Sequence, residues 1–356
     1  MPFEPGQPRE STLAAWRAQG FPAGVHWRTC LYETLGLDLP RPAPMPTLDA
    51  DFRMIPRFEE KVLERRDDHL VVQDWKGNVC EISDRFDPSY LREAKDFVTR
   101  RWLRCPVETR DDWPGMRRRY DADDAARLPA DFADRCRALA RRETPLIVAF
   151  PGPFWQMREW CGFEGLCLLM VEQPDFVDEM AAAWSDFVAR LLERFFAGIV
   201  PDMIHLSEDM AYKEHAMISP AMVRRFCMPS WRRWSEQARA AGCPLVAVDS
   251  DGFVGELIPL WIESGVNVCD PMEVAAGNDI GELRRLHGRR MAFRGGVDKR
   301  AMARGGADIR EELRRIEPVV RSGGCIPSCD HAVPPDVSWP AYLDYARLLA
   351  QITGWL

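Results

Sequence analysis

The sequence predicts an α/β fold, a (β/α)8 barrel with an elaborated N-terminal extension that contains a β-hairpin. After residue 144, short apolar runs alternate with longer amphipathic runs, a rhythm typical of parallel strands joined by crossover helices. No G-x-G-x-x-G sequence opens a helix, so the usual dinucleotide-binding sheet is not indicated. Six strands are predicted after residue 144, and the earlier sequence is long enough to supply two more.

The extension takes up residues 1–100, which hold an arm, the hairpin and the first barrel elements. Residues 101–356 form the remainder of the barrel, and the whole is predicted to be a single domain. A short helix is expected at 11–18 and an extended arm at 40–46, where four prolines prevent helix formation. Two β-rich stretches flank Lys76-Gly77-Asn78 and predict a hairpin over 71–82. The region 100–142, rich in Arg and Asp, has helical spacing and is interpreted as a solvated helical face.

Apolar runs, and the prolines and glycines that bound them, define the barrel elements in order. Strands are predicted at 146–150, 203–207, 245–249, 266–270, 291–294 and 325–329. Helices are predicted at 155–171, 174–197, 220–241, 254–264, 279–287, 308–321 and 340–352. Pro174 and Pro220 stand at helix starts, where the amide that proline lacks would have no partner in the helix. Glycines mark the expected helix ends at Gly242, Gly265, Gly288 and Gly323.

Composition limits the classes of function. The net charge is −8, which argues against a nucleic-acid-binding protein because such proteins need a basic face. No apolar run approaches the ~18 residues that span a bilayer, and the first residues lack the pattern of a signal peptide. The 11 cysteines are scattered and include no C-x-x-C pair, which is typical of a reducing compartment. A cytoplasmic protein without a membrane or nucleic-acid partner is therefore expected.

Acidic and histidine residues follow the predicted strands. In a barrel the carboxyl ends of the strands meet at one mouth, so these side chains are expected to form a polar pocket. The residues concerned are His205, Glu208, Asp209, Asp249, Asp251, Asp270, Glu273, Asp298, Lys299 and His331. Asp249 and Asp251 are two residues apart and would share a face of the strand.

Two chemistries and one purely structural interpretation are open for this cluster. Asp249, Asp251 and His331 could hold a divalent metal through oxygen and nitrogen. Without a metal, adjacent carboxylates would raise one pKa and place a general acid beside a base. Alternatively, Asp249-Ser-Asp251-Gly252 is an ordinary turn or helix cap, and His331 is a hydrogen-bonding loop residue.

Trp155 and Arg158 follow the first of these strands. The indole could wall a pocket and the guanidinium could hold a carboxylate of the substrate. Simple packing of Trp155 under the loop is the alternative.

Taken in order, several motifs resemble the uroporphyrinogen decarboxylase superfamily over more than half of the chain. They are Glu208-Asp209, Ile218-Ser-Pro220, Asp249-Ser-Asp-Gly252, Pro271-Met-Glu273, Gly295-Gly-Val-Asp298 and the stretch 323–336. The resemblance implies a (β/α)8 barrel with one of two chemistries. One is cofactor-free decarboxylation of uroporphyrinogen, and the other is zinc-assisted methyl transfer between a corrinoid protein and an acceptor. The arginine-rich N-terminal motif of the haem-pathway decarboxylases is missing from this chain, so it resembles a methyltransferase-like member instead.

The resemblance also implies roles for particular residues. Zinc methyltransferases carry His-x-Cys where this chain has Asp249-Ser-Asp251, and a third ligand near His331. We therefore expect Asp249, Asp251 and His331 to bind a divalent metal such as Zn²⁺, or the substrate. Glu208 and Asp209 are expected to handle protons, so that the catalytic set comprises these five residues. Substrate binding is expected at Trp155, Arg158, His205, Glu273, Asp298 and Lys299.

The predicted function is methyl transfer between a small methylated substrate and a corrinoid carrier protein. The first alternative is metal-free decarboxylation of a tetrapyrrole or a small acid, which would need no cofactor. The second is a barrel that binds a tetrapyrrole or corrinoid without catalysis. A homodimer is implied by the resemblance alone.

Overall fold

The N-terminal part combines two helices with a small antiparallel sheet. The computed structural model describes residues 1–38, 48–86, 90–93 and 99–356. Helices α1 (Glu10–Ala18) and α2 (Trp27–Leu35) precede a sheet of order β1-β2-β3-β4. Its strands are β1 (Lys61–Arg66), β2 (His69–Gln73), β3 (Val79–Ser83) and β4 (Arg101–Arg104). The predicted hairpin is β2–β3, and α1 confirms the first predicted helix; the proline arm at 40–46 lies outside the described residues.

A six-stranded parallel sheet forms the second and larger layer. Its strands are β5 (Ile147–Pro151), β6 (Met203–Ser207), β7 (Leu245–Asp249), β8 (Val268–Met272), β9 (Ala292–Val297) and β10 (Cys325–Cys329). They pair in chain order from β5 to β10, so every connection crosses over to the adjacent strand. This singly wound order brings all six carboxyl ends to one edge and confirms the predicted α/β fold with parallel strands.

Further helices precede, connect and follow the parallel strands. They are α3 (Tyr90–Glu93), α4 (Trp113–Arg117), α5 (Phe132–Leu139), α6 (Pro153–Cys161), α7 (Phe163–Glu172), α8 (Pro174–Phe196), α9 (Pro220–Phe226), α10 (Met228–Ala241), α11 (Ile258–Glu263), α12 (Ile280–His287), α13 (Lys299–Arg304), α14 (Gly306–Ser322) and α15 (Trp339–Thr353). Short 3₁₀ helices lie at Ala125–Arg127, Val274–Ala276 and Gly288–Arg290. Within the described ranges, no helix has both the length and the apolar character needed to cross a bilayer.

Two helices that the sequence predicts as continuous are each divided. The helix predicted at 155–171 breaks at Gly162, whose φ of +71° and ψ of 165° lie outside the helical region. The helix predicted at 220–241 ends at Phe226 and restarts at Met228, with Pro229 in its first turn. Because proline lacks an amide hydrogen, it fits the start of α10 better than a helix interior.

The closed ring of eight strands predicted from the sequence is not seen in the described residues. Six strands pair, and β5 and β10 are the edges of their sheet. N-terminal segments lie beside both edges without forming regular strands. At one edge, the Val333 amide donates to the Gln7 carbonyl oxygen at 2.9 Å. At the other edge, the Phe52 ring stacks on Phe150 with centroids 4.8 Å apart.

A single hydrophobic cluster unites these segments with the sheet and its helices. It includes Phe3, Trp16 and Phe52 from the N-terminal part together with the core residues of β5–β10. A separate small cluster under the antiparallel sheet consists of Leu70, Val72, Cys80, Ile82 and Leu91. The N-terminal segments are therefore packed as part of the main core and form one wall of the strand-end mouth.

Candidate active site

The strand register aligns polar residues at the carboxyl edge of the sheet. Pro151, Ser207, Asp249 and Asp270 are register neighbours on β5, β6, β7 and β8. Adjacent strands lie about 4.8 Å apart. The carboxylates of Asp249 and Asp270 therefore start from neighbouring positions on one rim, as expected for strand ends in this topology.

Asp249 has a carboxyl group that is poised between its two protonation states. Partial burial raises the pKa of Asp249 to about 7, and the negative charges of Asp270, Asp251 and Asp209 act in the same direction. The positive charge of His331 acts in the opposite direction. At neutral pH a substantial fraction of Asp249 is thus protonated, as a general acid requires.

Asp251 and His331 form an ion pair across the mouth, with Nε2 3.4 Å from Oδ2. The hydrogen bond to Asp251 raises the pKa of His331, while burial acts in the opposite direction. The second ring nitrogen, Nδ1, is buried and has no hydrogen-bond partner among the described residues. His331 therefore keeps one buried polar atom without a partner among the described residues, which is uncommon for a buried nitrogen.

A metal held by Asp249, Asp251 and His331 does not fit these side chains. In the part of the chain that the structure describes, no group of three or more His, Cys, Asp or Glu residues is arranged to hold a metal ion. Asp251 and His331 engage each other instead. The arrangement is that of a carboxylate–imidazole pair next to a protonatable acid.

Glu208 lies beneath the site and is fully buried. Its carboxyl oxygens accept hydrogen bonds from the backbone amide of Trp155 at 3.1 Å and from the indole Nε1 of Trp231. Burial raises the pKa of Glu208 to about 8, although these donors favour the ionised form. The Trp155 amide belongs to the first turn of α6, so Glu208 fixes the start of that helix. Glu208 is therefore enclosed, away from the mouth where a substrate would meet a proton donor.

The glycine before α6 is required by this carboxyl group. A Cβ on Gly152 would overlap the Glu208 carboxyl, whereas a Cβ on Gly115 in α4 would meet no atom within 4 Å. We expect Gly152→Ala to lower the free energy of unfolding by about 1–3 kcal/mol, as overpacking does. Urea unfolding measures this, with Gly115→Ala as the matched control. In a Glu208→Ala background, Gly152→Ala should lower the free energy of unfolding by a smaller amount. Equal losses in both backgrounds would disprove the clash between the added Cβ and the Glu208 carboxyl.

Asp209 and Arg158 are bound to each other at the next position along the rim. Arg158 donates from Nη1 to the Asp209 carbonyl oxygen at 2.9 Å and from Nη2 to Oδ2 at 3.1 Å. Its guanidinium also lies 4.5 Å from the centre of the Trp155 ring. Asp209 has a φ of +42°, a left-handed backbone conformation that is uncommon outside glycine and often found at functional sites. Both terminal nitrogens of Arg158 thus donate to Asp209, which leaves few N–H groups for the substrate carboxylate that the sequence predicted.

Three other residues predicted to bind substrate are held in charged pairs. Lys299 Nζ donates to Glu273 Oε1 at 3.0 Å and lies 3.9 Å from Asp330, which is fully buried. Glu273 also accepts the Gly252 amide at 2.9 Å. Asp298 caps α13 through the Arg300 amide and pairs with the Arg300 side chain. Asp298 therefore serves the start of a helix, while Glu273 and Lys299 tie the ends of β7–β10 together.

His205 is directed at the same rim from β6. Its Nε2 lies 4.0 Å from Asp270, which also accepts from Arg294 at 2.9 Å. Burial lowers the pKa of His205, so the imidazole is neutral at pH 7. Arg294 in turn contacts Glu4 of the N-terminal segment at 2.8 Å.

A cavity of about 700 Å³ opens onto Asp249. Its walls come from the strand ends, from the segment 49–53 and from the residues around the 3₁₀ helix Ala125–Arg127: Asp49, Ala50, Asp51, Phe52, Arg53, Ala126, Arg127, Pro129, Ala149, Phe150, Pro151, Trp155, Ser207 and Asp249. Of the predicted site residues, Asp249 and Trp155 line this cavity. Sequence reasoning missed the segment 49–53 and Arg127, because no periodicity or motif marks them.

Arg127 holds the missed wall in position. Its side chain is 1% exposed and donates to the carbonyl oxygens of Asp121 at 2.9 Å, Asp51 at 3.0 Å and Arg119 at 2.8 Å, and also to that of Arg53. The interpretation of 100–142 as a solvated face is wrong at this residue. The buried guanidinium replaces the sheet hydrogen bonds that the irregular segment 49–53 does not make.

A cavity with acidic side chains at the carboxyl ends of parallel strands is the usual place for the active site of an α/β enzyme. Residues 103–341, more than half of the chain, match the model of the family described as uroporphyrinogen decarboxylase (URO-D). The chain therefore belongs to the uroporphyrinogen decarboxylase family, which confirms the resemblance inferred from its motifs.

Solved structures resemble the chain at low identity. A methyltransferase from Methanosarcina mazei is 11% identical with a TM-score of 0.47, over 99% of this chain and 94% of that chain. A B12-independent methionine synthase from Shewanella sp. W3-18-1, in complex with selenomethionine, is 14% identical with a TM-score of 0.38. That similarity covers 64% of this chain and 67% of the synthase chain. A search of curated proteins found no match.

Proposed function

We propose that this protein transfers a methyl group from a small methylated amine or ether to an acceptor, with Asp249 as the proton donor. The observation that carries this proposal is the raised pKa of Asp249, about 7, at the wall of the strand-end cavity. Loss of a methyl group leaves an electron pair on nitrogen or oxygen. A neighbouring acid that is protonated at neutral pH can neutralise that pair.

The charges around the rim favour a substrate that is not strongly anionic. Three cations of the strand-end rim are each bonded to a carboxylate: Arg158 to Asp209, Arg294 to Asp270 and Lys299 to Glu273. The eight carboxylates of uroporphyrinogen would therefore meet few unpaired cations here. This charge balance supports methyl transfer over tetrapyrrole decarboxylation.

The proposed step exchanges one bond to the methyl carbon for another. The acceptor attacks the methyl carbon, the carbon–oxygen or carbon–nitrogen bond breaks, and its electron pair stays on the heteroatom. An ether oxygen takes the proton of the Asp249 carboxyl as the bond breaks, and Asp249 is reprotonated from the solvent after the alcohol leaves. A methylated amine is already an ammonium ion at neutral pH, so its nitrogen keeps its own proton and leaves as a neutral amine, with the Asp249 carboxylate as its counter-ion. Asp251 raises and His331 lowers the pKa of Asp249, so this pair would set the pH range in which Asp249 holds its proton. The acceptor we propose is a second substrate, the corrinoid of a carrier protein, which would supply the nucleophile.

We also propose that the chain uses a closed barrel, with its N-terminal segments in place of two regular strands. The backbone pairing of Pro8 with Val333 and the stacking of Phe52 on Phe150 support this at the two edges of the sheet. A homodimer remains a prediction from the family resemblance.

The test is methyl transfer from a panel of methylated amines and ethers to cob(I)alamin, followed by its absorbance. We expect turnover with at least one donor and none with the same donor lacking its methyl group. The exposed Asp111 provides a matched control, since Asp111→Asn should leave the rate unchanged. No transfer across the panel, together with carbon dioxide release from carboxylic acids, would instead support the decarboxylase alternative.

A further inference from the structure

We infer that the cavity has a second, cationic end built from Arg53 and Lys76, and that the substrate is an N-methylated amino acid whose carboxylate binds there. The inference rests on the proposed function for the nitrogen end of the molecule. The dimethylamino group would lie at Asp249 among the carboxylates, and the carboxylate would lie at the opposite wall.

Three cations converge on one indole ring. The guanidinium carbons of Arg53 and Arg57 lie 5.9 Å and 5.3 Å from the centre of the Trp75 ring, and Lys76 Nζ lies 5.3 Å from it. Trp75 and Lys76 belong to the β2–β3 hairpin, and the two arginines belong to the segment that follows residue 50. The hairpin and this segment therefore concentrate positive charge at one point, with an aromatic wall beside it.

The charges of this cluster are only partly compensated. Lys76 contacts Glu159, and Arg57 lies 3.9 Å from Asp51. Arg53 is exposed, and no carboxylate of the described residues forms an ion pair with its guanidinium. Its planar fork of N–H groups is suited to bind a carboxylate through two parallel hydrogen bonds.

Lys76 stays mostly charged at neutral pH despite its environment. Burial lowers the pKa of Lys76 to about 8; Arg100, Arg53 and Arg158 act in the same direction, and Asp74 acts against them. A lysine surrounded by this much positive charge gains from a bound anion, because the anion offsets the mutual repulsion of the cations.

This cationic end adjoins the cavity at Asp249. A smaller cavity of about 240 Å³ is lined by Arg53, Lys76 and Trp75, and Glu159 is the one acidic side chain among its described lining residues. It shares Phe52, Arg53, Pro151 and Trp155 with the larger cavity, whose acidic walls are Asp49, Asp51 and Asp249. The two adjoining cavities together offer an acidic end and a cationic end, a charge arrangement complementary to a dipolar molecule that reaches across both.

The experiment measures binding directly, by isothermal titration calorimetry at pH 7 and without an acceptor. The ligands are N,N-dimethyl-β-alanine and its uncharged amide, which has nearly the same shape. The full-length protein should bind the acid about tenfold more tightly than the amide. Arg53→Gln should reduce that preference to near unity. Arg65→Gln, at an exposed position of β1, is the matched control and should keep the preference.

Equal binding of acid and amide, no binding of either, or an undiminished preference in Arg53→Gln would overturn the inference. Homologues of increasing chain length should show one best length, since both ends of the cavity are fixed. Asp249→Asn should keep the preference for the acid while losing methyl transfer. If the wild-type protein binds the acid with this preference and transfers no methyl group, the proposed function fails and the cationic end stands.

Discussion

Replacing Asp249 by asparagine should lower the rate of methyl transfer by about 10²–10⁴-fold at pH 7, the usual contribution of a general acid. Asparagine has the size of aspartic acid but cannot give up a proton in this pH range. In the wild-type protein, kcat/KM for an ether donor should fall as the pH rises through about 7, where Asp249 loses its proton. A pH–rate profile of both proteins, with Asp111→Asn as the control, checks this expectation.

The same substitution should stabilise the fold above pH 7. Because the pKa of Asp249 is raised in the folded state, the folded protein holds this proton more tightly than the unfolded chain does. The stability contributed by Asp249 therefore falls as the pH rises from the ordinary aspartate pKa to about 7, and the full penalty applies above that pH. Above pH 7, removing the charge should raise the free energy of unfolding by about 2 kcal/mol, a figure that allows for solvent screening. Urea unfolding at pH 5 and pH 8 measures it; a loss of stability at pH 8 would contradict the assigned electrostatics.

Arg127→Ala should destabilise the protein by about 3–5 kcal/mol, the usual result of breaking a buried charged network. The substitution leaves the carbonyl oxygens of Asp51, Arg53, Arg119 and Asp121 without their shared donor. It also removes the stacking of the guanidinium on Phe187, 4.7 Å from the ring centre. Urea unfolding gives the magnitude.

Arg127→Lys tests whether the positive charge alone or the arrangement of the guanidinium N–H groups stabilises this wall of the cavity. Arg127→Lys keeps the positive charge but has three donors on one atom, so it should lose less stability than alanine but more than a conservative surface exchange. Because residues 51 and 53 line the cavity, both variants should weaken substrate binding more than they lower kcat. A loss below about 1 kcal/mol for Arg127→Ala would refute a structural role.

Local patterns predicted the parallel layer well, for a physical reason. The strands β5–β10 are buried apolar runs bounded by helix caps and glycines, and each of these signals lies within a few residues. Asp249, Asp251 and His331 were expected to converge because parallel strands share one carboxyl edge, and Asp251 and His331 do lie 3.4 Å apart. Their roles in chemistry remain predictions.

The side of the cavity formed by the N-terminal part could not be predicted in this way. Arg53 follows no strand, and Lys76 stands in a hairpin turn, where lysine is ordinarily exposed. Arg127 lies among Arg and Asp residues whose alternation is also typical of a solvated surface. Their positions depend on contacts between distant parts of the chain, such as Arg127 with Asp51, which no periodicity encodes. The burial of Glu208 also depends on such distant contacts. Its acidic side chain suggested proton transfer, but Trp155 of α6 and Trp231 of α10 enclose it.

The hydrogen bonds of α1 have a consequence for how the protein is made. Thr12 Oγ1 donates to the carbonyl oxygen of Val333 at 2.6 Å, and Trp16 Nε1 donates to that of Val337 at 2.8 Å. During synthesis α1 must therefore wait until residues 333–337 have left the ribosome before it meets these partners. Bringing together groups 321 positions apart carries a large loop-closure entropy, so docking of α1 should be slow and late. Until then Trp16 lacks the partners that bury it completely in the folded protein.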